Sequence, residues 1–373
     1  MNLVMKVFLV SILKFGLRII YAPLKLLKTK NRIVYLSRQR NTKDEDFTLL
    51  ENELKRLAPD TEQVFRLKMI DNGFVSKIKY CFYVIGDMYY LATSKVAILD
   101  TYSITASCLK HKKSLKIVQI WHALGAVKKF GYQAFGTKEG RDEKLSRAMC
   151  MHKNYDFVIA PSDATALIYK EAFNTESSHI KICPMPRVDF ITDGNAPIEK
   201  FYNLNPFLAD KKIVLYLPTF RKRDAYCSEM LKTEFNNEDG YALIVKAHPL
   251  SKMHLDDKYT AKGDFTTFEL MKIADVIITD YSACAYEASL LMKPLYFFVP
   301  DFDEYVKDRG LNVDVRKELP GAVFYDAESL SDAVRSEHYD FNELYSFKNK
   351  YIKLTDEKAT TLLASFIVKL LGE

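Results

Sequence analysis

The sequence feature that most constrains the fold is a run of β-branched residues that breaks into a polar turn, within residues 275–299. Residues 276–278 are Val-Ile-Ile, an apolar run typical of a strand that is buried on both faces. After the polar residues 280–282, the apolar and small residues of 283–292 lie on one side of a predicted helix, which a proline then stops. Residues 295–299 predict the next strand. This β–turn–α–β unit places a hydroxyl and backbone N–H groups at a helix N-terminus, where phosphates commonly bind.

The polar residues of this unit admit two interpretations. Ser282 can be a simple N-cap and Asp280 an ordinary loop acid, since such caps are common. Glu287 favours a ligand site instead. A carboxylate about one turn into such a helix can reach a ribose diol while the helix end holds the phosphates.

Two further predicted strands of the second half, residues 212–217 and 241–246, also end in side chains suited to a diphosphate. The first leads to Thr219 and Arg221, and the second leads to His248. Guanidinium, imidazole and hydroxyl groups supply the charge and the donors that phosphate oxygens need. Their convergence at the ends of three consecutive strands predicts a phosphate site in this half of the chain.

The first half also alternates between predicted strands and helices, which indicates a parallel, doubly wound sheet. The predicted strands are residues 31–37, 63–68, 95–100, 116–120 and 156–160, and the predicted helices are residues 47–57, 76–92 and 164–173. Trp121 and His122 follow the fourth strand, at the edge where ligands bind in open α/β sheets. An imidazole titrates near neutral pH, so His122 is a candidate general base; the alternative is a structural histidine beside a packing tryptophan.

The N-terminal segment, residues 1–30, predicts a helix that lies in the plane of a membrane surface. Residues 1–40 contain nine Lys or Arg and no acid, which leaves 45 basic and 48 acidic residues in the rest of the chain. Because basic residues interrupt the apolar ones, the segment lacks both the uncharged stretch of a spanning helix and the plan of a signal peptide. Lys and Arg on lipid phosphates, with Leu, Ile and Phe inserted, predict a peripheral protein on the cytoplasmic face of the cell membrane. The alternative is an amphipathic helix packed on the protein's own core.

Length and composition predict a globular chain of two or three domains. Residues 192–210 are rich in Pro, Asn, Gly and Asp and indicate a linker, so the expected domains are residues 31–200 and 201–373. A helix predicted over residues 355–371 can pack back on the N-terminal domain, and residues 303–310 are predicted as a loop. The six cysteines form no C-x-x-C pair, which argues against a zinc site or a disulfide framework. Basic charge confined to one end does not indicate nucleic-acid binding.

Eight short motifs occur in a fixed order along nearly the whole chain after residue 30. They are Ile-Val-Tyr-Leu-Ser (33–37), Trp-His (121–122), Pro-Arg-Val-Asp (186–189), Tyr-Leu-Pro-Thr-Phe-Arg (216–221), Lys-Ala-His-Pro (246–249), Ile-Ile-Thr-Asp-Tyr-Ser (277–282), Arg-Gly (309–310) and Pro-Gly (320–321). The ordered set resembles the CDP-glycerol glycerophosphotransferase family of teichoic-acid and capsule synthesis. The resemblance implies an α/β fold of the GT-B type, in which two Rossmann-like domains face each other across a cleft. The N-terminal domain would handle the acceptor and the C-terminal domain the CDP-linked donor.

The resemblance also implies roles for individual residues. His122 is similar to the family's catalytic base, and His248 is the second catalytic candidate. The implied substrate contacts are Arg187, Asp189, Thr219, Arg221, Asp280, Ser282, Glu287 and Arg309. At two positions the chain departs from the family pattern, because Ala283 stands where a second Ser is usual and Glu287 stands where Asp is usual. Both changes suit a different polyol.

The resemblance implies transfer of glycerol phosphate, or another polyol phosphate, from CDP-glycerol or a related CDP-polyol, with release of CMP. The acceptor would be an undecaprenyl-linked saccharide or polyol phosphate. His122 would deprotonate the acceptor hydroxyl for in-line attack on the β-phosphorus, while His248, Arg221 and the helix end at Ser282 stabilise the phosphates. No tightly bound cofactor is expected, and loosely bound Mg²⁺ is compatible with this scheme. Three alternatives stay open: a CDP-ribitol-specific transferase, a GT-B glycosyltransferase that uses a nucleotide sugar, and a catalytically silent membrane-bound scaffold.

Overall fold

The structure is a computed structural model, and it describes residues 2–69, 74–219, 224–236, 240–247, 251, 253 and 255–372. Its helices are α1 (Leu3–Leu24), α2 (Glu45–Leu57), α3 (Phe74–Thr93), α4 (Ile104–Cys108), α5 (Glu143–Ala148), α6 (Asp163–Phe173), α7 (Arg187–Thr192), α8 (Ile198–Leu204), α9 (Asp224–Glu234), α10 (Thr267–Ile273), α11 (Cys284–Ser289), α12 (Phe302–Arg309), α13 (Val315–Glu318), α14 (Ala327–Ser336), α15 (Phe341–Tyr351) and α16 (Ala359–Gly372). Its strands are β1 (Arg32–Ser37), β2 (Glu62–Leu67), β3 (Val96–Leu99), β4 (Lys116–Gln119), β5 (Phe157–Ala160), β6 (Ile180–Ile182), β7 (Lys212–Leu217), β8 (Tyr241–Val245), β9 (Val276–Thr279), β10 (Leu295–Phe298) and β11 (Val323–Phe324).

Within the described residues, the strands form two parallel sheets, one in each half of the chain. The strand orders are β2–β1–β3–β4–β5–β6 and β11–β10–β9–β7–β8. Parallel neighbours need crossover connections that cover the faces of the sheet, so their strands are buried on both sides and consist of continuous apolar runs. Every residue of β3, β9 and β10 is buried. The α/β fold with parallel sheets, expected from the alternation of elements, is confirmed.

The chain divides into two compact units. Unit 1 consists of Met1–Leu124, Phe130–Asp189 and Lys353–Glu373, and unit 2 consists of Gly125–Lys129 and Phe190–Ile352. The main division therefore falls after residue 189, earlier than the boundary at residue 200 expected from the sequence. The final helix α16 belongs to unit 1, where it packs on α2.

Several elements differ from those expected. Residues 303–310 are not a loop, because Phe302–Arg309 forms α12. Phe302 and Tyr305 are its buried residues, one turn apart, and the many acids between and after them obscure this short apolar period in the sequence. The helix expected over residues 283–292 ends at Ser289, and Met292 adopts a left-handed conformation with φ +49°. The strand β6 was not predicted, since its three residues are too few to show a period.

Helix α1 packs on unit 1 along a narrow strip only. Leu17 and Tyr21 are its buried residues, and the Tyr21 hydroxyl lies 2.7 Å from His111 Nδ1. Most of its other apolar side chains are exposed, with Val4, Phe8 and Phe15 each 60% exposed or more. No helix in the described part of the chain combines the length and the apolar character that crossing a bilayer requires.

Candidate functional site

His122 follows β4 in a loop whose backbone is held in an unusual conformation. The preceding residue, Trp121, has φ +63°. A bulky side chain in this left-handed region costs about 1–3 kcal/mol and persists only where its surroundings fix it. The Trp121 N–H donates to Gln119 Oε1 at 3.0 Å, and the indole stacks on Phe130 with ring centroids 4.9 Å apart. These contacts hold the turn that sets the position of His122.

The imidazole of His122 is oriented by the backbone of the neighbouring strand end. Its Nδ1 lies 3.0 Å from the carbonyl oxygen of Asp100. A carbonyl oxygen can only accept, so Nδ1 carries the hydrogen and the neutral ring has its lone pair on Nε2. The side-chain nitrogen of Gln39 lies 3.4 Å from each ring nitrogen. The arrangement gives His122 the tautomer that a general base acting through Nε2 needs.

Asp100, which supplies that carbonyl, also has a buried carboxyl group tied to the end of β1. Ser37 Oγ donates to Asp100 Oδ2 at 2.8 Å, and Arg40 Nε lies 3.2 Å from the same oxygen. Burial raises the pKa of Asp100 to about 6, although Arg40 and Ser37 act in the opposite direction. The ends of β1, β3 and β4 therefore meet in one polar cluster that includes His122.

Arg187 lies beside this cluster, and its guanidinium is engaged with the protein itself. Its Nη1 donates to the carbonyl oxygen of His122 at 2.9 Å. The Asp46 carboxylate accepts from the Arg187 backbone N–H at 2.7 Å, from Nε at 2.8 Å and from Nη2. The two side chains are only 6% and 2% exposed. These contacts make Arg187 a positioning residue for the His122 loop, and direct binding of substrate by Arg187 stays a prediction.

Asp189 likewise has partners within unit 1. Its carboxylate accepts from the N–H groups of Ala359 at 2.9 Å and Thr360 at 2.8 Å, and from Thr360 Oγ1 at 2.5 Å. These are donors at the start of α16, which have no partner within the helix. Asp189 thus attaches the final helix to unit 1, and its expected substrate contact stays a prediction.

In unit 2, Asp280 joins the ends of β7 and β9. Its fully buried carboxylate accepts from the Thr219 N–H at 2.9 and 3.1 Å and from the Tyr281 N–H at 2.7 Å. Thr279 Oγ1 adds a bond to the Leu217 carbonyl at 2.9 Å. Thr219 Oγ1 is buried and has no hydrogen-bond partner among the described residues. Asp280 therefore shapes the backbone, and its expected substrate contact stays a prediction, while the Thr219 hydroxyl retains a donor for another group.

The turn after β9 is packed against α12. The Tyr281 ring stacks on Tyr305 with centroids 3.7 Å apart, and its hydroxyl donates to Asp301 Oδ1 at 3.1 Å. Ser282 is half-buried, and its Oγ accepts from the Cys284 N–H at 3.3 Å. Arg309 is the last residue of α12, the helix that contacts this turn through Tyr305.

Three predicted site residues remain: Glu287, Arg221 and His248. Glu287 lies in the first turn of α11 and is buried. Arg221 and His248 lie outside the described residues. Within the described ranges, no group of three or more His, Cys, Asp or Glu side chains could hold a metal ion.

Comparison with known proteins identifies the family. The sequence model of the CDP-glycerol:poly(glycerophosphate) glycerophosphotransferases matches residues 20–369. The chain belongs to this family. It is 29% identical to the teichoic acid ribitol-phosphate primase of Bacillus spizizenii, over 97% of this chain and 98% of that protein. It is 28% identical to the teichoic acid glycerol-phosphate primase of Bacillus subtilis, over 81% of this chain and 80% of that protein.

The fold is similar to that of a solved structure described as the wall teichoic acid polymerase TagF. The TM-score is 0.74 at 17% sequence identity, over 98% of each chain. The glycerophosphotransferase family and the transferase class, both expected from the motifs, are confirmed.

In this member of the glycerophosphotransferase family, sequence reasoning missed three residues around His122: Gln39, Asp46 and Asp100. Asp100 had a usable signal, because it directly follows the apolar run of β3 at the carboxyl end of the strand. The glycine that follows His122 in the same loop, Gly125, belongs to unit 2. A Cβ at this position would lie 2.6 Å from the Tyr286 ring of α11, so no larger residue fits without rearrangement. Gln39 and Asp46 carried no signal, since each lies in a polar segment.

Proposed function

We propose that this protein transfers a polyol phosphate from a CDP-polyol to a hydroxyl of a lipid-linked acceptor in teichoic acid synthesis, with release of CMP. CDP-glycerol is the first candidate donor, because the family is described by its use of glycerophosphate. CDP-ribitol is the second, because a ribitol-phosphate primase matches this chain at 29% identity and over more of its length than the glycerol-phosphate primase, which is 28% identical. The proposed acceptor is an undecaprenyl-linked saccharide or polyol phosphate.

The orientation of His122 is the observation that carries this proposal. With Nδ1–H on the Asp100 carbonyl, Nε2 can accept the proton of the acceptor hydroxyl. The oxygen then forms a bond to the β-phosphorus of the donor. The bond from that phosphorus to the bridging oxygen breaks, and CMP leaves with the electron pair. Phosphoryl transfer needs little covalent chemistry from the protein, so positioning of the base accounts for much of its role.

We assign the donor phosphates to unit 2. The buried Thr219 hydroxyl lies where the ends of β7 and β9 meet, and the turn at Ser282 contributes a second hydroxyl. Arg221 and His248 are proposed to supply positive charge there, which would stabilise the phosphates and the leaving CMP. Asp280, Glu287 and Arg309 are the further proposed contacts in unit 2, and loosely bound Mg²⁺ is compatible with such a site. We further propose the GT-B arrangement, with the acceptor handled by the N-terminal domain and the donor by the C-terminal one.

We also propose that α1 holds the protein on the cytoplasmic face of the cell membrane. Its exposed apolar side chains need a nonpolar partner, and residues 1–40 carry nine basic residues without an acid. An anionic lipid surface supplies both, because apolar side chains insert among the acyl chains while Lys and Arg remain at the phosphates.

The test is CMP release by the purified protein with a lipid-linked acceptor and a panel of CDP-glycerol, CDP-ribitol and nucleotide sugars. CMP from either CDP-polyol supports the proposal and names the donor, whereas turnover of a nucleotide sugar alone would make the protein a glycosyltransferase. His122→Ala should abolish turnover and leave CDP binding nearly intact. His338→Ala is the matched control, since His338 is an exposed histidine outside the site. Retained turnover in His122→Ala would remove His122 from the mechanism.

A further inference from the structure

An open pocket of about 510 Å³ lies in unit 1 between α1 and two loops. This volume falls in the range of small-molecule sites, roughly 300–1,000 Å³. Four of the side chains that line it are cationic: Arg18 from α1, Lys25 directly after the end of α1, Lys110 from the loop after α4 and Lys153 from the loop after α5. No carboxyl group is among the described residues that line it. We call it the basic pocket.

The four cations of the basic pocket have no ion-pair partner among the described residues. Several other basic side chains of unit 1 are paired, as Arg32 is with Glu62 and Arg66 is with Asp87. Like charges gathered at one site repel each other, and a bound anion of one or more charges relieves that repulsion. The basic pocket is therefore electrostatically suited to a phosphate or diphosphate group.

The loops that carry Lys110 and Lys153 are tied together. The side-chain nitrogen of Asn154 donates to the carbonyl oxygens of Ala106, Ser107 and Leu109, at 3.1, 3.0 and 2.9 Å. Asn154 is the neighbour of Lys153, and Leu109 is the neighbour of Lys110. The two lysines consequently start from backbone positions that are fixed relative to each other, which lowers the entropy lost when an anion binds between them.

The other two cations lie at the border of the exposed apolar surface of α1. At about 100° per residue, Arg18 is about 60° from the buried Tyr21 on one side and about 60° from the exposed Phe15 on the other. Lys25 is two turns further and only about 20° from Arg18 around the axis. When the apolar side of such a helix is inserted in a bilayer, cations at its border lie at the level of the lipid phosphates.

We propose that the basic pocket binds the phosphate group of a membrane lipid. Two sources share this chemistry: an anionic phospholipid of the bilayer, and the diphosphate of a polyprenyl-linked acceptor. In either case the pocket fixes the orientation of unit 1 on the membrane, because one lipid is held between α1 and the body of the unit. The inference rests on the proposed membrane placement of α1 but not on the proposed transfer reaction, so its test measures binding and not turnover.

The first measurement is calorimetric titration of the full chain with monomeric lipids, dihexanoyl-phosphatidylglycerol below its micelle concentration and geranyl diphosphate. We expect saturable binding at one site per chain for at least one of them. Lys110→Gln/Lys153→Gln should weaken it by about tenfold or more, because two charge-assisted contacts are lost. These lysines are exposed and lie outside α1, so the variant leaves the helix unchanged. Lys307→Gln/Lys317→Gln removes the same charge from exposed lysines of unit 2 and should bind as the unaltered protein does.

The two lipids identify the source. Binding of geranyl diphosphate at least tenfold more tightly than phosphatidylglycerol assigns the pocket to the acceptor lipid, and comparable or weaker binding assigns it to the bilayer. Absence of saturable binding by both lipids, or equal weakening in the two double variants, would overturn the proposal.

A further variant separates the pocket from the membrane placement of α1. Phe8→Ser/Phe15→Ser should lose binding to phosphatidylcholine vesicles with about one fifth phosphatidylglycerol, since it removes inserted apolar area. It should keep its affinity for the monomeric lipids, because neither side chain lines the pocket. Loss of monomer binding in this variant, with an unchanged thermal melt, would contradict the assignment to the pocket.

Discussion

Replacing Asp46 with Asn should destabilise unit 1 and slow the reaction together, although Asp46 is not expected to touch substrate. The Asp46 carboxylate accepts three hydrogen bonds from Arg187, and Arg187 in turn donates to the carbonyl oxygen of His122. An amide of the same shape cannot neutralise the guanidinium. The variant therefore leaves a buried positive charge whose position, next to the His122 loop, is no longer fixed.

The loss of stability expected for Asp46→Asn follows from the burial of the two side chains. Both side chains are almost fully enclosed, at 6% exposure for Arg187 and 2% for Asp46. Removal of one partner from a buried pair costs about 3–5 kcal/mol, because the other charge remains out of water without compensation. That is a large part of the total stability of a domain, about 5–15 kcal/mol. For a unit of roughly 200 residues the melting temperature should fall by about 6–20 °C.

Chemical denaturation and thermal melting measure this loss, and Glu143→Gln is the matched control. Glu143 pairs with Arg147 one turn along α5, but the two side chains are 51% and 59% exposed. An exposed pair of this kind contributes about 0.3–0.5 kcal/mol. The tenfold difference in expected effect between two carboxylate-to-amide changes tests burial as the cause. A free energy of unfolding for Asp46→Asn within about 1 kcal/mol of the unaltered protein would refute the reasoning.

A double variant separates stability from positioning. Asp46→Leu/Arg187→Met replaces both charges with apolar groups of similar size, which is often neutral or stabilising for a buried pair. It should recover most of the stability lost in Asp46→Asn but not the rate of CMP release, since the His122 carbonyl still lacks its donor. Full activity in the double variant would show that Arg187 does not position the His122 loop.

Three other changes test the contacts around the two polar clusters. Burial favours the neutral acid of Asp100, so its pKa in the folded protein, about 6, lies above the ordinary 3.8. The free energy of unfolding therefore falls by up to roughly 3 kcal/mol as the pH rises through this range. Asp100→Asn should gain stability relative to the unaltered protein between pH 4.5 and 7, measured by urea denaturation at each pH. Asp280→Ala leaves the buried N–H groups of Thr219 and Tyr281 without acceptors, at about 1–3 kcal/mol each, and calorimetry should show weakened CDP binding. Asp189→Ala removes the cap of α16, at about 1 kcal/mol, and should speed hydrogen exchange in its first turn.

The fold was largely accessible from the sequence because its strands are buried on both faces. Continuous apolar runs such as residues 276–278 reveal a parallel sheet directly. Short elements were missed where the period had too few residues to appear, as in β6, or where acids dominated, as in α12. The sequence allowed α16 to pack back on the N-terminal domain, but the capping contact of this helix with Asp189, far away in the chain, is one that no local pattern could reveal.

The site could be predicted from the sequence only in part, because many of its contacts join residues that are far apart in the chain. His122 and Thr219 follow apolar runs, so they could be predicted as residues at the carboxyl ends of strands. The hydrogen bond that fixes the tautomer of His122 comes from the backbone of Asp100, and a backbone carbonyl has no signature in a sequence. The pairing of Arg187 with Asp46 spans 141 positions and joins two polar segments that look like ordinary loops.

The acidic members of the motifs have a physical reason to be structural. A CDP-polyol carries negative charge on its diphosphate, so an unengaged carboxylate beside it would repel it. Asp280 and Asp189 avoid this, since each accepts from N–H groups of the backbone, and those donors offset the carboxylate charge. The same N–H groups need acceptors because they lie at a strand end and at a helix start. Acids at these positions therefore hold the backbone around the site, while the proposed contacts with the diphosphate itself are hydroxyl and cationic side chains.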